Sequence, residues 1–224
     1  MSLSFRCSVP RFLIPAAVLL AIPAAAQGGD AQADDTGTGV TLGLRASYGI
    51  PSGDFYDGFS LDERFSGVFA PQVDLGYFIN RHVYLGIYGQ FGSARIQSDA
   101  CPTGVDCSGR VLRFGVDVSY HFIPDSVLSP WLGAGLGYEF TRISASAAGS
   151  TGAGNYKGLE FAHVEAGLEI RVAEHVWLGP CFTATLGQYS RATMTIDGLE
   201  LSGEIEDKSP HFWLQPGVRL QVRL

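Results

Sequence analysis

The sequence has little charge and no apolar run long enough to cross a membrane as a helix. Only 17% of its 224 residues are charged, and the formal net charge is -7. The apolar stretch at residues 12–22 is shorter than the roughly 20 residues that a membrane-spanning helix needs. Glycine is abundant, with 29 residues, and aromatic residues make up 12%. This composition is compatible with a soluble domain and with a β-barrel whose outer surface is apolar.

The N-terminal segment predicts export from the cytoplasm. Two arginines precede the apolar stretch, and residues 23–26 (PAAA) supply the small side chains of a signal-peptidase site. We therefore predict a signal peptide over residues 1–26 and a mature chain that begins at Gln27. A membrane anchor is the alternative, which the short apolar stretch disfavours. Residues 27–39 are rich in glycine and aspartate, and we expect them to form a flexible lead-in.

Cysteine is scarce, and the four cysteines differ in their surroundings. Cys7 lies within the predicted signal peptide. Cys101 and Cys107 lie six residues apart in a turn-rich segment, and in an exported protein this spacing predicts a disulfide that closes a small loop. Two ligands are too few for a metal site, so we expect no metal there. Cys181 is left unpaired within a predicted strand.

Apolar and polar residues alternate over most of the chain. In the hairpin at residues 73–92, every second residue is apolar on each side of Asn80-Arg81. A period of two indicates strands and excludes helices. Similar hairpins recur near Val116 and Val164, at intervals of about 43 to 48 residues. The alternation predicts eight strands, at residues 40–50, 67–79, 82–96, 111–122, 131–143, 159–172, 176–189 and 212–224.

Two features favour a membrane barrel over a sandwich. Short turns follow the second, fourth and sixth predicted strands, and longer loops follow the first, third, fifth and seventh. One face of each strand has no charge at its centre, whereas the opposite face carries the charged residues. Because a cation at the midplane of the lipid costs about 2 to 4 kcal/mol, the apolar face is predicted to lie outside. The expected fold class is all-β, an eight-stranded antiparallel up-and-down transmembrane β-barrel over residues 40–224.

Charged side chains of both signs point by parity into the predicted lumen. Eight strands leave an interior only just wide enough for side chains to fill, and buried charges need partners. We therefore predict an ion-pair belt across the lumen. Four inward aromatic residues near the short turns (Phe78, Tyr84, Trp131 and Trp177) are expected to block the periplasmic end. The predicted belt consists of Arg45, Asp74, Arg113, Asp117, Glu139, Glu165, Glu169 and Arg219.

No motif predicts catalysis or cofactor binding. The glycines at residues 133–137 (GAGLG) resemble a dinucleotide fingerprint, but no helix follows them. His163, Glu165 and Glu169 alternate on one strand beside arginines, so paired lumen charges are favoured over a metal or acid/base site. Neither G-x-S-x-G nor a zinc spacing occurs. We expect no catalytic, cofactor-binding or metal-binding residues, and a lipid-modifying enzyme is only a remote alternative.

The chain resembles the OmpA/OmpX-like eight-stranded outer-membrane barrels of Gram-negative bacteria over residues 40–224. The resemblance lies in the strand pattern and in the last strand, although the chain has Leu224 where such proteins usually end in an aromatic residue. It implies a location in the outer membrane, contact with outer-membrane lipid and lipopolysaccharide, and recognition by the barrel assembly machinery. The positions that are similar to the family's assembly signal are Gln215, Gly217, Leu220 and Val222.

Function is expected to depend on the long loops. The first hypothesis is a non-enzymatic protein with a plugged lumen, which presents extracellular loops for a structural role, adhesion or binding of an unknown extracellular partner. The alternative is a narrow channel for small solutes or hydrophobic molecules. We expect no cofactor and no nucleic-acid partner. The predicted loops comprise residues 51–65, 97–110, 144–157 and 190–209.

Overall fold

A computed structural model of the protein describes residues 37–56, 58–147 and 149–224, most of which belong to antiparallel strands. The predicted signal peptide and most of the predicted lead-in lie outside the described residues. In these ranges no helix is long and apolar enough to cross a membrane. The strands are β1 (Gly39–Tyr56), β2 (Phe59–Ser60), β3 (Phe65–Phe78), β4 (Val83–Ile96), β5 (Asp106–His121), β6 (Leu128–Ala147), β7 (Ser150–Ala173), β8 (Val176–Ile196), β9 (Leu199–Glu204) and β10 (Pro210–Arg223).

Eight of these strands close into a ring. β1 pairs with β3 on one side and with β10 on the other, and β10 also pairs with β8. From β3 to β8, each strand pairs with the next one in the chain. Each of the eight therefore has two neighbours, as a strand in hydrocarbon requires. The predicted eight-stranded antiparallel barrel is confirmed, and the two short strands are additions to it, β2 on β1 and β9 on β8.

The two faces of the wall differ in the way that the alternation predicts. On β1, the outward side chains of Leu42, Leu44 and Ile50 are 45%, 49% and 47% exposed. The alternate residues Thr41 and Arg45 are buried in the lumen. The outer face is therefore apolar and the interior polar, which is the reverse of a soluble barrel and the arrangement of a membrane barrel.

Short turns join the strands at one end of the barrel. In the turn after β3, the side-chain oxygen of Asn80 accepts hydrogen bonds from the backbone N–H groups of His82 at 2.8 Å and Val83 at 2.9 Å. Such a side-chain contact to the following backbone is the reason that asparagine favours turns. The connections at residues 122–127 and 174–175 follow β5 and β7 at the same end.

At the opposite end, all four predicted loops contain regular strands, since β5 already begins at Asp106 within residues 97–110. β1 continues into residues 51–65 as far as Tyr56, and β6 and β7 pair across residues 144–157. β8 runs to Ile196, and β9 pairs with it within residues 190–209. Interpreting these segments as loops was wrong. Backbone pairing needs no apolar alternation, so small and polar residues outside the membrane can form strands that the pattern does not reveal.

Candidate functional site

The centre of the lumen is organised around the guanidinium of Arg45. Its Nε lies 2.7 Å from Asp74 Oδ2, and its Nη1 lies 2.5 Å from Glu165 Oε2. A third carboxylate, that of Asp117, lies 3.4 Å from Nη2. All four side chains are buried, so their charges interact more strongly than at a surface. One arginine on β1 thus connects β3, β5 and β7 across the lumen.

His163 extends this central group along the lumen. Its Nδ1 lies 2.5 Å from Glu160 Oε1, and its Nε2 lies 3.1 Å from Glu165 Oε1. The ring of Tyr88 packs edge-on against the imidazole, with 5.3 Å between the ring centroids. Both ring nitrogens therefore face carboxylates, and an aromatic ring holds the orientation of the imidazole.

A β-bulge explains why Glu160 is absent from the predicted belt. If the alternation that starts at Ala162 is extended back toward the N-terminus, it predicts that Glu160 lies on the outer face. The pairing of β7 with β8 shifts register between Glu160 and Ala162, so that Phe161 and Ala162 both lie outside and Glu160 is buried. The sequence does carry a signal, because Phe161 is out of phase with the alternation that starts at Ala162.

A second group lies nearer the long hairpins. Arg113 Nε lies 2.6 Å from Glu139 Oε2, and Nη1 donates a hydrogen bond to Gln90 Oε1 at 2.7 Å. The same guanidinium lies over the indole of Trp213, 4.7 Å from the ring centroid. The hydroxyl of Tyr189 donates to the Glu139 carboxylate. This group ties together β4, β5, β6, β8 and β10.

A third group lies nearer the short turns. Glu169 Oε1 lies 3.5 Å from Arg219 Nη1, and the Glu169 carboxylate also pairs with Arg223. The Arg219 guanidinium lies 4.7 Å from the ring centroid of Trp131 and 5.4 Å from that of Tyr84. The four aromatic side chains predicted to block this end are 0–6% exposed. Aromatic faces and cations therefore fill the lumen together at this end.

The eight belt residues thus fall into three groups at different heights instead of one ring. Neutral amides link the central group to the second one. Gln90 Nε2 donates to Gln72 Oε1 and to Gln215 Oε1, both at 2.9 Å, and Gln72 donates to Asp74 Oδ1 at 2.7 Å. These glutamines are absent from the predicted belt, because neutral side chains need no ionic partner and parity alone does not show their contacts.

An apolar cap lies in the lumen at the end away from the short turns. Phe55 and Leu61 are fully buried, and Phe55 stacks on Tyr189 with 5.3 Å between ring centroids. The backbone N–H of Leu61 donates to Gly53 O at 2.8 Å, which folds this connection over the mouth. The predicted polar loop at residues 51–65 therefore contributes to a core. The cap consists of Phe55, Leu61, Phe65, Val68, Ala70, Val111, Tyr156, Tyr189, Ile205 and Trp213.

Above the cap, β6 to β9 continue as a sheet with an exposed apolar strip. Met194 pairs with Leu201, and Ile196 pairs with Leu199, so the four side chains lie on one face. Ile196, Leu199 and Leu201 are 63%, 70% and 67% exposed, and Met194 is 39% exposed. Among the described strands, β9 pairs with β8 alone, so its other edge is open. We call these four residues the hairpin strip.

The sequence carries a signal for this hairpin within residues 190–209, which were predicted to form a loop. Asp197 and Gly198 form the turn, with φ values of 46° and 88°. Asp-Gly favours two-residue hairpin turns because both residues tolerate positive φ. The Asp-Gly pair at residues 197–198 lies between Met194-Thr195-Ile196 and Leu199-Glu200-Leu201, which alternate on each side of it.

The connection between β4 and β5 is closed by the predicted disulfide. Cys101 and Cys107 are bonded, with 6.0 Å between their Cα atoms, and a short 3₁₀ helix (Ser98–Ala100) precedes them. Cys181 is free and buried in the barrel. In the part of the chain that the structure describes, no group of three or more His, Cys, Asp or Glu side chains is arranged to hold a metal ion.

Replacing both bonded cysteines, Cys101→Ser with Cys107→Ser, should loosen this connection and leave the barrel folded. Closing so short a loop contributes about 2 kcal/mol in the chain-entropy account, and its effect is local. Limited proteolysis with a non-specific protease should cut the variant between residues 97 and 106 while the wild type resists. A Cys181→Ser control should behave as the wild type. Equal cleavage rates of the double variant and the wild type would contradict this prediction.

The sequence profile of the outer membrane protein beta-barrel domain matches residues 13–202. The chain belongs to this family. No curated protein sequence matches the chain. A major outer membrane protein of Thermus thermophilus is 11% identical, with a TM-score of 0.56 over 82% of this chain and 99% of that chain. Neisserial surface protein A is 18% identical, with a TM-score of 0.46, over 84% and 97% of the two chains. OprG of Pseudomonas aeruginosa is 11% identical, with a TM-score of 0.49, over 83% and 97%.

The family match places the protein among outer-membrane barrels, and the similarity to the Thermus thermophilus structure shows the fold. Other matching structures are titled as the attachment invasion locus protein of Yersinia pestis and as the outer membrane protease OmpT of Escherichia coli. A fold by itself decides neither adhesion nor catalysis, since one fold can carry unrelated functions. The role of this outer-membrane barrel has to be argued from its own lumen and hairpins.

Proposed function

We propose that this barrel is a non-enzymatic surface protein of the outer membrane of a Gram-negative bacterium, which binds a partner outside the cell through its long hairpins. The hairpin strip carries the proposal, because contiguous exposed apolar side chains on a folded protein mark interaction sites. The open edge of β9 offers unpaired backbone groups to an added strand. Adhesion and a structural role in the envelope are both forms of such binding.

The contents of the lumen support a plugged barrel. The cap fills the end near the long hairpins, and the third group, in which Arg219 packs on Trp131, fills the end near the short turns. The central group around Arg45 spans the middle of the lumen. A narrow channel is the second candidate, and one observation favours it. Near the short turns, the Tyr84 hydroxyl and the Trp131 indole N–H are buried and have no hydrogen-bond partner among the described residues, as is expected of polar groups that line a water path.

Planar-bilayer recordings of the refolded barrel separate these two functions. A plugged barrel should give no reproducible conductance steps, because the ion-paired side chains leave no continuous path. Steady steps in the wild type would contradict the plugged lumen. Asp117→Asn together with Arg45→Ala should then change the step size, which would establish that the path passes the central group.

Epitope insertion tests which end of the barrel lies outside the cell. A short tag between Asp197 and Gly198 should bind antibody on intact cells, since this turn lies at the tip of the long hairpins. A matched tag after Asn80 should react only in permeabilised cells. The reverse pattern would overturn the proposed presentation of the hairpins.

The resemblance in the last strand also supports a proposal about assembly. We propose that the barrel assembly machinery recognises β10, which lies between β1 and β8 in the closed ring. A photo-cross-linker at Val222 should react with the machinery during assembly in cells. The proposal fails if the protein reaches the outer membrane equally well when the machinery is depleted. The matching residues on β10 are Gln215, Gly217, Leu220 and Val222.

A further inference from the structure

A surface hollow of about 340 Å³ lies on the outer face of β4 to β8, at the edge of the apolar outer surface that is nearer the long hairpins. Its apolar part lies nearer the short turns, two of its cations lie nearer the long hairpins, and the third, Lys157, pairs with Phe140 in the apolar row. Phe91, Leu112 and Phe140 contribute the apolar part, and they are 51%, 45% and 37% exposed. We call this feature the basic hollow. The cationic side chains that line it are Arg110, Arg142 and Lys157.

Strand register sets the height of the cations relative to the apolar side chains. Leu112 on β5 pairs with Phe91 and with Phe140. Two residues further toward the long hairpins, Arg110 pairs with Arg142. Two residues advance a strand by about 6 to 7 Å, so the guanidinium groups emerge roughly one head-group layer above the apolar side chains. The basic hollow therefore matches the boundary between acyl chains and head groups.

The cations of the basic hollow have no carboxylate partner within the described ranges. Arg142 Nε on β6 donates to Ser144 Oγ at 3.2 Å, whereas Arg191 on β8 pairs with Glu204 at 3.9 Å. Three like charges around one hollow repel each other, and a bound anion would relieve that repulsion. Arginine is suited to phosphate, because its planar donors can bind two phosphate oxygens at once.

We infer that the basic hollow binds a phosphorylated acyl lipid of the outer leaflet, the chemistry of the lipid anchor of lipopolysaccharide. The phosphate groups contact the three cations, and an acyl chain lies along the three apolar side chains. The inference rests on the proposed function, because it needs the long hairpins to lie outside the cell.

Binding of diphosphorylated lipid A to the refolded protein in neutral detergent tests this site. The test variant combines Arg110→Gln, Arg142→Gln and Lys157→Gln, and native mass spectrometry or competition with a fluorescent lipid measures affinity. Since one cation near an anionic lipid contributes about fivefold, the affinity of the variant should fall at least about tenfold. Dephosphorylated lipid A should bind both proteins equally weakly.

A matched control removes three exposed cations elsewhere, with Arg81→Gln, Arg171→Gln and Lys208→Gln. This control should bind lipid A as the wild type does. Equal lipid A affinity of the wild type and the test variant would overturn the inference. So would a test variant that loses binding to heparin and keeps binding to lipid A, since the hollow would then be a site for soluble polyanions.

Two further readouts separate failure of this inference from failure of the proposed function. Heat-modifiable migration on gels reports whether each variant has folded into a barrel. Epitope labelling at residues 197–198 reports which end is outside. A folded, correctly oriented barrel that binds lipid A independently of the three cations overturns the lipid site alone. Labelling of the opposite end overturns the proposed function first.

Discussion

Replacing Arg45 with methionine should lower the free energy of unfolding of the barrel by about 3 to 5 kcal/mol. The substitution leaves Asp74, Asp117 and Glu165 buried without the cation that contacts all three. Methionine keeps most of the side-chain volume, so the loss of charge dominates over the loss of packing. Urea titration of the refolded protein in lipid vesicles, followed by tryptophan fluorescence, measures the change.

An exposed ion pair provides the matched control for Arg45. Arg191 lies 3.9 Å from Glu204, and both side chains are largely exposed. Arg191→Met should cost less than about 1 kcal/mol, since water and salt screen such pairs. Arg45→Lys keeps the charge but loses the planar donors, so its effect should lie between those of the wild type and Arg45→Met. An effect of Arg45→Met as small as that of Arg191→Met would show that the central group does not stabilise the barrel.

Replacing Gly76 with valine should lower the free energy of unfolding by about 3 kcal/mol or prevent folding. Gly76 on β3 pairs with Gly86 on β4, and the ring of Tyr84 lies over both glycines. A Cβ at position 76 would overlap Tyr84 Cε2 and Cζ. The ring cannot move aside easily, because it is fully buried beneath Arg219.

Gly89 is the matched control for this substitution. It lies on the outer face of β4, and an added Cβ would meet no atom of the described residues within 4 Å. Gly89→Val should be neutral or stabilising, because valine suits strands and lipid. Adding Tyr84→Ala to Gly76→Val should restore part of the stability, since it removes the group that is overlapped. Equal effects of the two glycine substitutions would contradict the close packing of Tyr84 on this pair.

The sidedness of the wall was predictable because it depends on local geometry. Successive side chains of a strand point to opposite faces whatever the neighbouring strands do. Leu42 and Arg45 therefore lie outside and inside as the alternation predicts. The turn at Asn80 is equally local, since its side-chain oxygen accepts hydrogen bonds from the backbone N–H groups two and three residues later. The strand count and the closure of the barrel follow from repetition of this pattern.

The contacts inside the lumen were not predictable to the same depth. The alternation predicts that Arg45 and Glu165 both point into the lumen. Whether they lie at the same height along the barrel depends on the register of every strand pair between β1 and β7. The bulge that turns Glu160 inward changes that parity by one residue. The belt therefore divides into three groups, a division that alternation along single strands does not encode.

The amino-acid sequence alone determined the fold class, the apolar outer face and the charged lumen, because each follows from a period of two within single strands. Tertiary structure decided which charges meet, that Phe55 and Leu61 fold into a cap, and that the hairpin strip stands exposed. These features depend on strand register and on backbone pairing beyond the membrane, where hydrocarbon no longer imposes the alternation. The basic hollow depends on register as well, since Arg110 and Arg142 lie 32 positions apart in the sequence and meet only when β5 pairs with β6.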